Sequence, residues 1–229
     1  EISNITDLNV SESNLTSLQG IEYFTALKRM YCDLNYLKAL DVSHNLELTI
    51  LNCFGNHITS LDVSQNVKLQ RFWCYENRLT SLDVSQNTAL TYLSCSRNRL
   101  TTLDVSTNTA LVDLFCEDNR LTSLNIGANE ELAKLTCYNN QLTALDVSQC
   151  PALNELSCSS NQLTSLDISK NTDLDILHCY SNPGSGTVFP LTAWFDENNV
   201  PASLQINSME WTYGNNRVAV RIQKSGTGN

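Results

Sequence analysis

The stretch that decides the fold is residues 90–110, which read LTYLSCSRNRLTTLDVSTNTA. The same pattern recurs on both sides of this stretch, with a cysteine at every twenty-first position from Cys32 to Cys179. A leucine stands five residues before each of these cysteines, and an asparagine stands three residues after it. The repeating unit is therefore L-x-x-L-x-C-x-x-N-x-L-T-x-L-D-V-S-x-N-x-x, which predicts a solenoid of stacked, equivalent turns.

The first half of each unit has the alternation of a β-strand. Leu93 and Cys95 are two residues apart and should point inward, whereas Tyr92, Ser94 and Ser96 should point outward. One strand per turn, always entered in the same direction, predicts a parallel sheet along one face. Equivalent residues of neighbouring turns should then lie about 4.8 Å apart. Each turn would cover the apolar side chains of the next.

These residues resemble the leucine-rich-repeat family, with cysteine at the second leucine position of L-x-x-L-x-L-x-x-N-x-L. The chain looks most like the short 21-residue bacterial class found in surface and secreted proteins. The resemblance covers about residues 5–182 and implies a leucine-rich-repeat solenoid shaped as a horseshoe or arc. It also implies a parallel β-sheet on one face, extended or 3₁₀ connections on the other, and few helices. The first unit is one residue longer and resembles internalin-like repeats, which implies a short helical or 3₁₀ turn there.

We expect two regions. Residues 1–182 would form the solenoid of about nine turns, in which 1–26 make an atypical N-terminal turn. After this point the repeat stops at a Pro-Gly-Ser-Gly turn signal. Residues 183–229 would form a C-terminal cap with a β-hairpin, because an exposed last turn needs covering. Aromatic residues such as Trp194 would be buried against that turn.

The charge balance excludes some partners. The chain has 14 Lys and Arg against 24 Asp and Glu, a net charge of −10, which argues against binding to nucleic acid or to anionic membranes. No apolar run approaches the roughly 20 residues that cross a bilayer, so we expect no membrane-spanning segment. A column of aspartates contributes much of the charge, and Asx-type turns to the following serines would stabilise it. A row of weakly bound Ca²⁺ ions is the alternative. The column consists of Asp41, Asp62, Asp83, Asp104, Asp146 and Asp167.

The cysteine column predicts buried thiols rather than metal ligands or disulfides. Zinc needs tetrahedral clusters, whereas these thiols form a line of equal steps in a leucine-rich core. Parallel Cβ vectors also disfavour disulfides between neighbours. We therefore expect reduced cysteines that act as small hydrophobes, with raised pKa values and no cofactor or metal. Cys150 stands outside the column, in a position that other turns give to asparagine, where it would fill a turn or be a free reactive thiol.

The outward strand positions vary from turn to turn, so a ligand would be recognised there. These 24 positions hold eight of the 17 aromatic residues, where chance would place fewer than two. Exposed aromatic side chains are typical of recognition surfaces. The alternative is that the rings stack across neighbouring strands only to stabilise the sheet. The predicted ligand-binding residues are Phe54, Arg71, Trp73, Tyr75, Tyr92, Phe115 and Tyr138.

A line of arginines is a second candidate site. Arg78, Arg99 and Arg120, with Arg97 nearby, would suit a sulfate, a phosphate or an acidic glycan. The alternative is an ordinary solvated edge, in which the arginines pair with nearby carboxylates, namely Glu76, Glu117 and Asp118. No serine or cysteine stands beside a positioned base, which argues against catalysis.

The sequence as a whole predicts a non-enzymatic, monomeric module that binds a protein or glycan through an aromatic-rich strand face at the bacterial cell surface. The alternative function is a structural spacer or stalk of a larger surface protein. An extracellular or cell-surface location follows from the resemblance, and an N-terminus without an initiator methionine fits removal of a leader. No catalytic residue is predicted.

Overall fold

The computed structural model describes residues 2–183, 188–193, 211–213 and 216–224. Two 3₁₀ helices, Ile2–Asn4 and Ile21–Tyr23, are the helices of this part of the chain. In chain order the strands are β1 (Asp7–Asn9), β2 (Arg29–Tyr31), β3 (Ile50–Asn52), β4 (Arg71–Trp73), β5 (Tyr92–Ser94), β6 (Thr102–Asp104), β7 (Asp113–Phe115), β8 (Ser123–Asn125), β9 (Lys134–Thr136), β10 (Glu155–Ser157), β11 (Leu166–Asp167), β12 (Ile176–His178), β13 (Val188–Ala193), β14 (Trp211–Tyr213) and β15 (Asn216–Lys224).

Nine of these strands form one parallel sheet in the order β1-β2-β3-β4-β5-β7-β9-β10-β12. The register follows the repeat, so that Tyr92 pairs with Arg71 on one side and with Asp113 on the other. The first step, from Asp7 to Arg29, is one residue longer and includes the 3₁₀ helix Ile21–Tyr23. The predicted solenoid, with a parallel sheet on one face and almost no helix, is confirmed.

The core is made of identical rows of apolar side chains. In one turn, Leu90, Leu93, Cys95, Leu100 and Val105 are all fully buried, and their equivalents in neighbouring turns continue the same rows. No single turn could remove this surface from water, so the hydrophobic free energy comes from stacking. The nine cysteines are unpaired and buried, as the column predicted.

The asparagine after each cysteine joins neighbouring turns. The Asn98 amide donates hydrogen bonds to the carbonyls of Cys74 and Cys95, at 3.0 Å each, and to that of Ser96. Its Oδ1 atom accepts a hydrogen bond from the backbone N–H of Leu79 at 2.9 Å. The same set recurs along the column, so buried backbone groups in the turns find partners.

A second asparagine column lies on the opposite side of each turn. Asn87 donates to the carbonyls of Val63 and Asn66. Cys150 occupies this slot in its own turn and is fully buried, which supports a filled turn rather than an accessible thiol. Burial raises the pKa of the Cys150 thiol to about 11.

The aspartate column forms Asx-type turns, as predicted. Oδ1 of Asp83 accepts a hydrogen bond from the backbone N–H of Ser85 at 2.9 Å, and the same bond recurs at the equivalent turns. Asn125 replaces aspartate once and accepts from Gly127 instead. Within the described residues, no group of three or more His, Cys, Asp or Glu side chains is arranged to hold a metal ion.

The chain beyond the repeats contributes strands to a separate sheet. β13 pairs in parallel with β11 of the solenoid and with β15, and β14 pairs with β15 in antiparallel fashion. Trp194 lies outside the described residues, and a cap over 183–229 stays a prediction. In the part of the chain that the structure describes, no helix has the length and apolar character needed to cross a membrane.

Candidate functional site

The outward face of the nine-stranded sheet carries its side chains in columns. Because the register repeats every turn, Trp73, Ser94 and Phe115 lie side by side on β4, β5 and β7. The backbone hydrogen bonds continue past the strand ends. There the backbone N–H of Glu76 donates to the carbonyl of Ser96, and the backbone N–H of Arg97 donates to the carbonyl of Glu117. Neighbouring turns therefore bring together side chains that are 21 residues apart in sequence.

A depression of about 360 Å³ lies at the centre of this face. It arises because the turn of β5 has serines where both neighbouring turns have large side chains. Ser94 and Ser96 are only 6% and 3% exposed, since the taller residues around them shield them. The lining residues are Trp73, Tyr75, Glu76, Tyr92, Ser94, Ser96, Arg97, Phe115 and Glu117.

Aromatic rings form the walls of the depression. Trp73, Tyr92 and Phe115 make a diagonal chain across three strands, with ring centroids 4.9 Å and 5.4 Å apart and interplanar angles of 37°. Tyr75 stacks on Phe54 with centroids 4.4 Å apart and planes 6° from parallel. Such pairs add to the stability of the sheet, and they also hold the rings in fixed positions around the serines.

The seven predicted ligand-binding residues divide into those that line the depression and those that do not. Trp73, Tyr75, Tyr92 and Phe115 line it, and Phe54 supports Tyr75 from behind. Besides Phe54, two predicted residues lie outside the lining: Arg71, which is exposed, and Tyr138, which is half-buried.

The sequence prediction missed Ser94, Ser96, Glu76, Arg97 and Glu117 as lining residues. A signal for the serines was available. Two small outward residues stand in one turn while the turns before and after carry aromatic or long side chains at the same positions. Glu117 could not be assigned to the lining from sequence, because its place there depends on how deep the depression is.

The predicted pairing of arginines with nearby carboxylates is present at Arg97 and absent from the three arginines of the line. Arg97 binds two of the three named carboxylates, with Nη1 2.5 Å from an oxygen of Glu76 and Nε 3.6 Å from an oxygen of Asp118. Arg97 reaches both because its own turn lies between theirs. The line consists of Arg78, Arg99 and Arg120. Across the described ranges, none of these three arginines forms a salt bridge with a carboxylate.

Two lining residues of the depression have a buried polar atom without a hydrogen-bond partner in the part of the chain that the structure describes, namely Oγ of Ser96 and Oε2 of Glu117. The nearby Arg97 charge compensates the Glu117 carboxylate only in part. Burial raises the pKa of the Glu117 carboxyl above its usual range. Burial likewise raises the pKa values of Tyr75 and Tyr92. The depression therefore combines a desolvated carboxylate with an aromatic wall.

The parallel sheet has nine strands, of which the last eight are spaced 21 residues apart. Together with the inward leucine rows and the asparagine column, it defines a leucine-rich-repeat solenoid. Among solved structures, the chain is similar to the functional domain of InlJ from Listeria monocytogenes, which is described as including a cysteine ladder. The two share 40% identity at a TM-score of 0.78, over 84% of this chain and 44% of that one.

Two further solved structures show the same fold. A leucine-rich-repeat protein of Leptospira interrogans matches with 29% identity and a TM-score of 0.68, over 74% of this chain and 47% of its own. The internalin InlF of Listeria monocytogenes matches with 21% identity and a TM-score of 0.56, over 89% of this chain and 86% of its own. This chain thus spans less than half of the first two structures. Comparisons with protein-family models and with curated proteins give no match.

Proposed function

We propose that this chain is a non-enzymatic binding module, which presents the aromatic depression on its strand face to a protein or glycan ligand at the bacterial cell surface. One observation is the main support for this proposal. Four aromatic residues predicted from their outward positions surround a single depression with a floor of two serines. Concave, aromatic-lined sites with a few polar groups are typical of ligand recognition.

Sheet stabilisation alone accounts poorly for this arrangement. Stacking of Phe54 on Tyr75 does stabilise neighbouring strands, but it does not need serines between two aromatic turns. An aromatic residue at position 94 or 96 would extend the stacking, whereas serine interrupts it. The interruption supports a recognition role for this face.

The location of the protein is part of the proposal. Similar bacterial solenoids include internalins, which favours export and presentation at the cell surface. Unpaired thiols are unusual outside the cytoplasm, but here all nine lie in the dry interior. Burial raises the pKa of Cys32 and of Cys137 to about 12, which would protect these thiols from oxidation.

The binding proposal predicts a sharp effect of Trp73→Ala. The purified protein would be screened against extracellular host proteins and glycans, and the dissociation constant of each hit measured by calorimetry. Because central aromatic residues dominate interface energies, we expect Trp73→Ala to weaken binding by about 30-fold or more. Tyr75→Ala should act in the same direction.

Tyr180→Ala is the matched control, because Tyr180 is exposed, lies outside the depression and occupies the same outward column as Tyr75. This change should leave affinity unaltered, and all three variants should keep the circular dichroism spectrum of the wild type. Binding that survives Trp73→Ala and Tyr75→Ala would contradict the proposal. It would favour the alternative function of a spacer in a larger surface protein.

A further inference from the structure

We propose that the depression receives a basic side chain of a protein partner, with a lysine ammonium or an arginine guanidinium placed between the aromatic wall and Glu117. This inference rests on the proposed function and names the chemistry that the depression selects. Four observations support it: the state of Glu117, the use of the nearby cations, the geometry of the rings and the local charge.

The Glu117 carboxylate is buried and only partly compensated by its surroundings. A carboxylate removed from water is costly unless it is paired or hydrogen-bonded, and Oε2 of Glu117 is buried without a partner in the described structure. The cations on this part of the face form salt bridges with other carboxylates. Arg97 binds Glu76 and Asp118, and Lys134 binds Glu155 at 2.6 Å. Arg97 therefore offsets the Glu117 charge only in part, and a cationic ligand would complete the compensation.

The rings provide the second half of a cation site. A cation over an aromatic face is attracted by the quadrupole of the ring, and the attraction grows when water is excluded. The ammonium of Lys134 already lies 5.5 Å from the Phe115 centroid, so this ring accepts a cation from its own chain. Trp73 and Tyr92 extend the aromatic surface toward the serines. The methylene stem of a lysine or arginine would pack along that surface.

The charge around the depression favours a basic protein side chain over a glycan. Asp113 precedes Phe115 by two residues on β7, pointing to the same face, and makes no salt bridge within the described residues. Glu117 follows Phe115 by the same interval. An acidic glycan would be repelled by these carboxylates. A neutral glycan could stack on the rings but would leave the Glu117 charge only partly compensated.

Small probes test the inference directly. N-acetyl-lysine amide and N-acetyl-arginine amide would be titrated against the whole chain, with the neutral analogues N-acetyl-norleucine amide and N-acetyl-citrulline amide as references. The indole N–H signal of Trp73, assigned through Trp73→Phe, would report binding by NMR. We expect each charged probe to bind at least ten-fold more tightly than its neutral analogue. Glu117→Gln should reduce the affinity for each charged probe to that for its neutral analogue.

Glu131→Gln is the matched control, because Glu131 is exposed and outside the depression. It removes the same charge from the chain, so it should leave probe binding unchanged. A general effect of net charge would weaken binding equally in both variants and would overturn the inference. Glu117→Gln should fold normally, since it replaces a desolvated charge with a neutral group of the same shape, and its thermal midpoint would be measured alongside.

The pH dependence gives an independent readout. Because burial raises the pKa of Glu117, protonation should weaken binding of the lysine probe at a higher pH than an ordinary glutamate would. The other carboxylates around it are Glu76, Asp113 and Asp118. The remaining titratable groups nearby are Arg97, Tyr75, Tyr92, Tyr138, Lys134, Cys95, Cys116 and Cys137. Glu117→Gln should therefore remove the loss of binding at the higher pH, which belongs to Glu117.

Failure of this inference is distinguishable from failure of the proposed function. If Trp73→Ala abolishes binding of a macromolecular ligand while Glu117→Gln leaves it intact, the aromatic face binds a ligand and the cation assignment is wrong. A glycan ligand whose affinity is insensitive to Glu117→Gln would overturn the assignment in the same way. Equal affinity for the lysine and norleucine probes would also overturn it.

Discussion

At the scale of single residues, the asparagine after each cysteine contributes more to this fold than its polarity suggests. Asn98 satisfies one backbone N–H and three backbone carbonyls, and it joins its own turn to the preceding one. A buried backbone group without a partner costs about 1–3 kcal/mol. The side chain is therefore a structural connector, and no ligand needs to be invoked for this column.

Replacement of this side chain should destabilise the molecule strongly. Asn98→Ala leaves the buried N–H of Leu79 without its partner. It also removes one hydrogen bond from each of three carbonyls, which still accept from Asn77, Asn119 or the backbone N–H of Glu76. We therefore expect the free energy of unfolding to fall by about 2–4 kcal/mol. Urea unfolding followed by circular dichroism would measure it. Gln141→Ala, at an exposed position just after the equivalent Asn140, should change stability by less than about 0.5 kcal/mol. Similar losses in both variants would show that Asn98 has no special role.

The column positions were predictable from sequence because they depend on spacing alone. The inward leucines and cysteines and the outward Trp73 all follow from a period of two within each strand and 21 between strands. Glu76 and Asp118 were predicted to pair with arginines, but the choice of Arg97 was not predictable, because a long side chain can lean toward either neighbouring turn. Its contacts with Glu76 and Asp118 depend on side-chain rotamers, which a one-dimensional pattern does not specify.

At the scale of elements, each turn contains a left-handed residue that the sequence barely signals. The residue two after each cysteine has a positive φ, with values such as 63° at Gly55, 52° at Glu76 and 50° at Arg97. Glycine is the usual choice for this conformation, yet only Gly55 is a glycine in the column. The hydrogen bonds of the neighbouring asparagine hold the backbone there, so tertiary contacts override local preference. This is why turn chemistry alone would not have located it.

The aspartate turns are a second recurring element of the fold, and their hydrogen bonds predict a loss of stability in acid. Hydrogen bonds from the backbone and side chain of Ser85 lower the pKa of Asp83 below its usual range. Because the folded pKa is lower than the unfolded one, the stabilising effect is present above about pH 4 and is lost as the pH falls through the folded pKa. Similar shifts occur at Asp41, Asp62, Asp104 and Asp146.

Asp83→Asn isolates this effect. An amide serves the same turn naturally at Asn125, and the change relieves repulsion from Asp62 and Asp104, so we expect near-wild-type stability at pH 7. Below pH 4 the variant should become more stable than the wild type, since it has no carboxyl to protonate at this position. Asp83→Ala removes the hydrogen-bond acceptor, so its free energy of unfolding should be about 0.5–1 kcal/mol lower than that of the wild type at pH 7. Thermal unfolding from pH 7 to pH 3 would measure all three, and parallel profiles for Asp83→Asn and the wild type would contradict the explanation.

At the scale of the whole molecule, the candidate site is a product of stacking. No single turn contains the depression, because its serine floor and Tyr92 come from one turn and the rest of its walls come from the turns on either side. The sequence placed the aromatic residues on one face, which follows from register. It did not predict the depression or the desolvation of Glu117, because depth depends on how far the side chains of three turns rise above the sheet.

Stacking also predicts that a whole turn can be removed if the register is kept. Deletion of residues 141–161 joins Asn140 to Gln162, which is the equivalent of Gln141 in the next turn. It removes β10 and retains every residue that lines the depression. Since each turn contacts only its neighbours, we expect the shortened chain to fold, with a lower thermal midpoint. The denaturant dependence of its unfolding free energy should fall by roughly a tenth, in proportion to chain length.

Deletion of one residue fewer, 141–160, is the control that separates register from length. It joins Asn140 to Asn161 and moves every later side chain by one position, so that inward residues such as Leu177 would turn outward from the sheet. We expect the turns after the junction to remain unfolded, with a much larger loss of circular dichroism signal than in the in-phase deletion. Because the lining of the depression lies before the junction, the in-phase variant should bind the lysine probe like the wild type. If both deletions behave alike, successive turns do not share a common register, and the description of the site as a product of three adjacent turns fails.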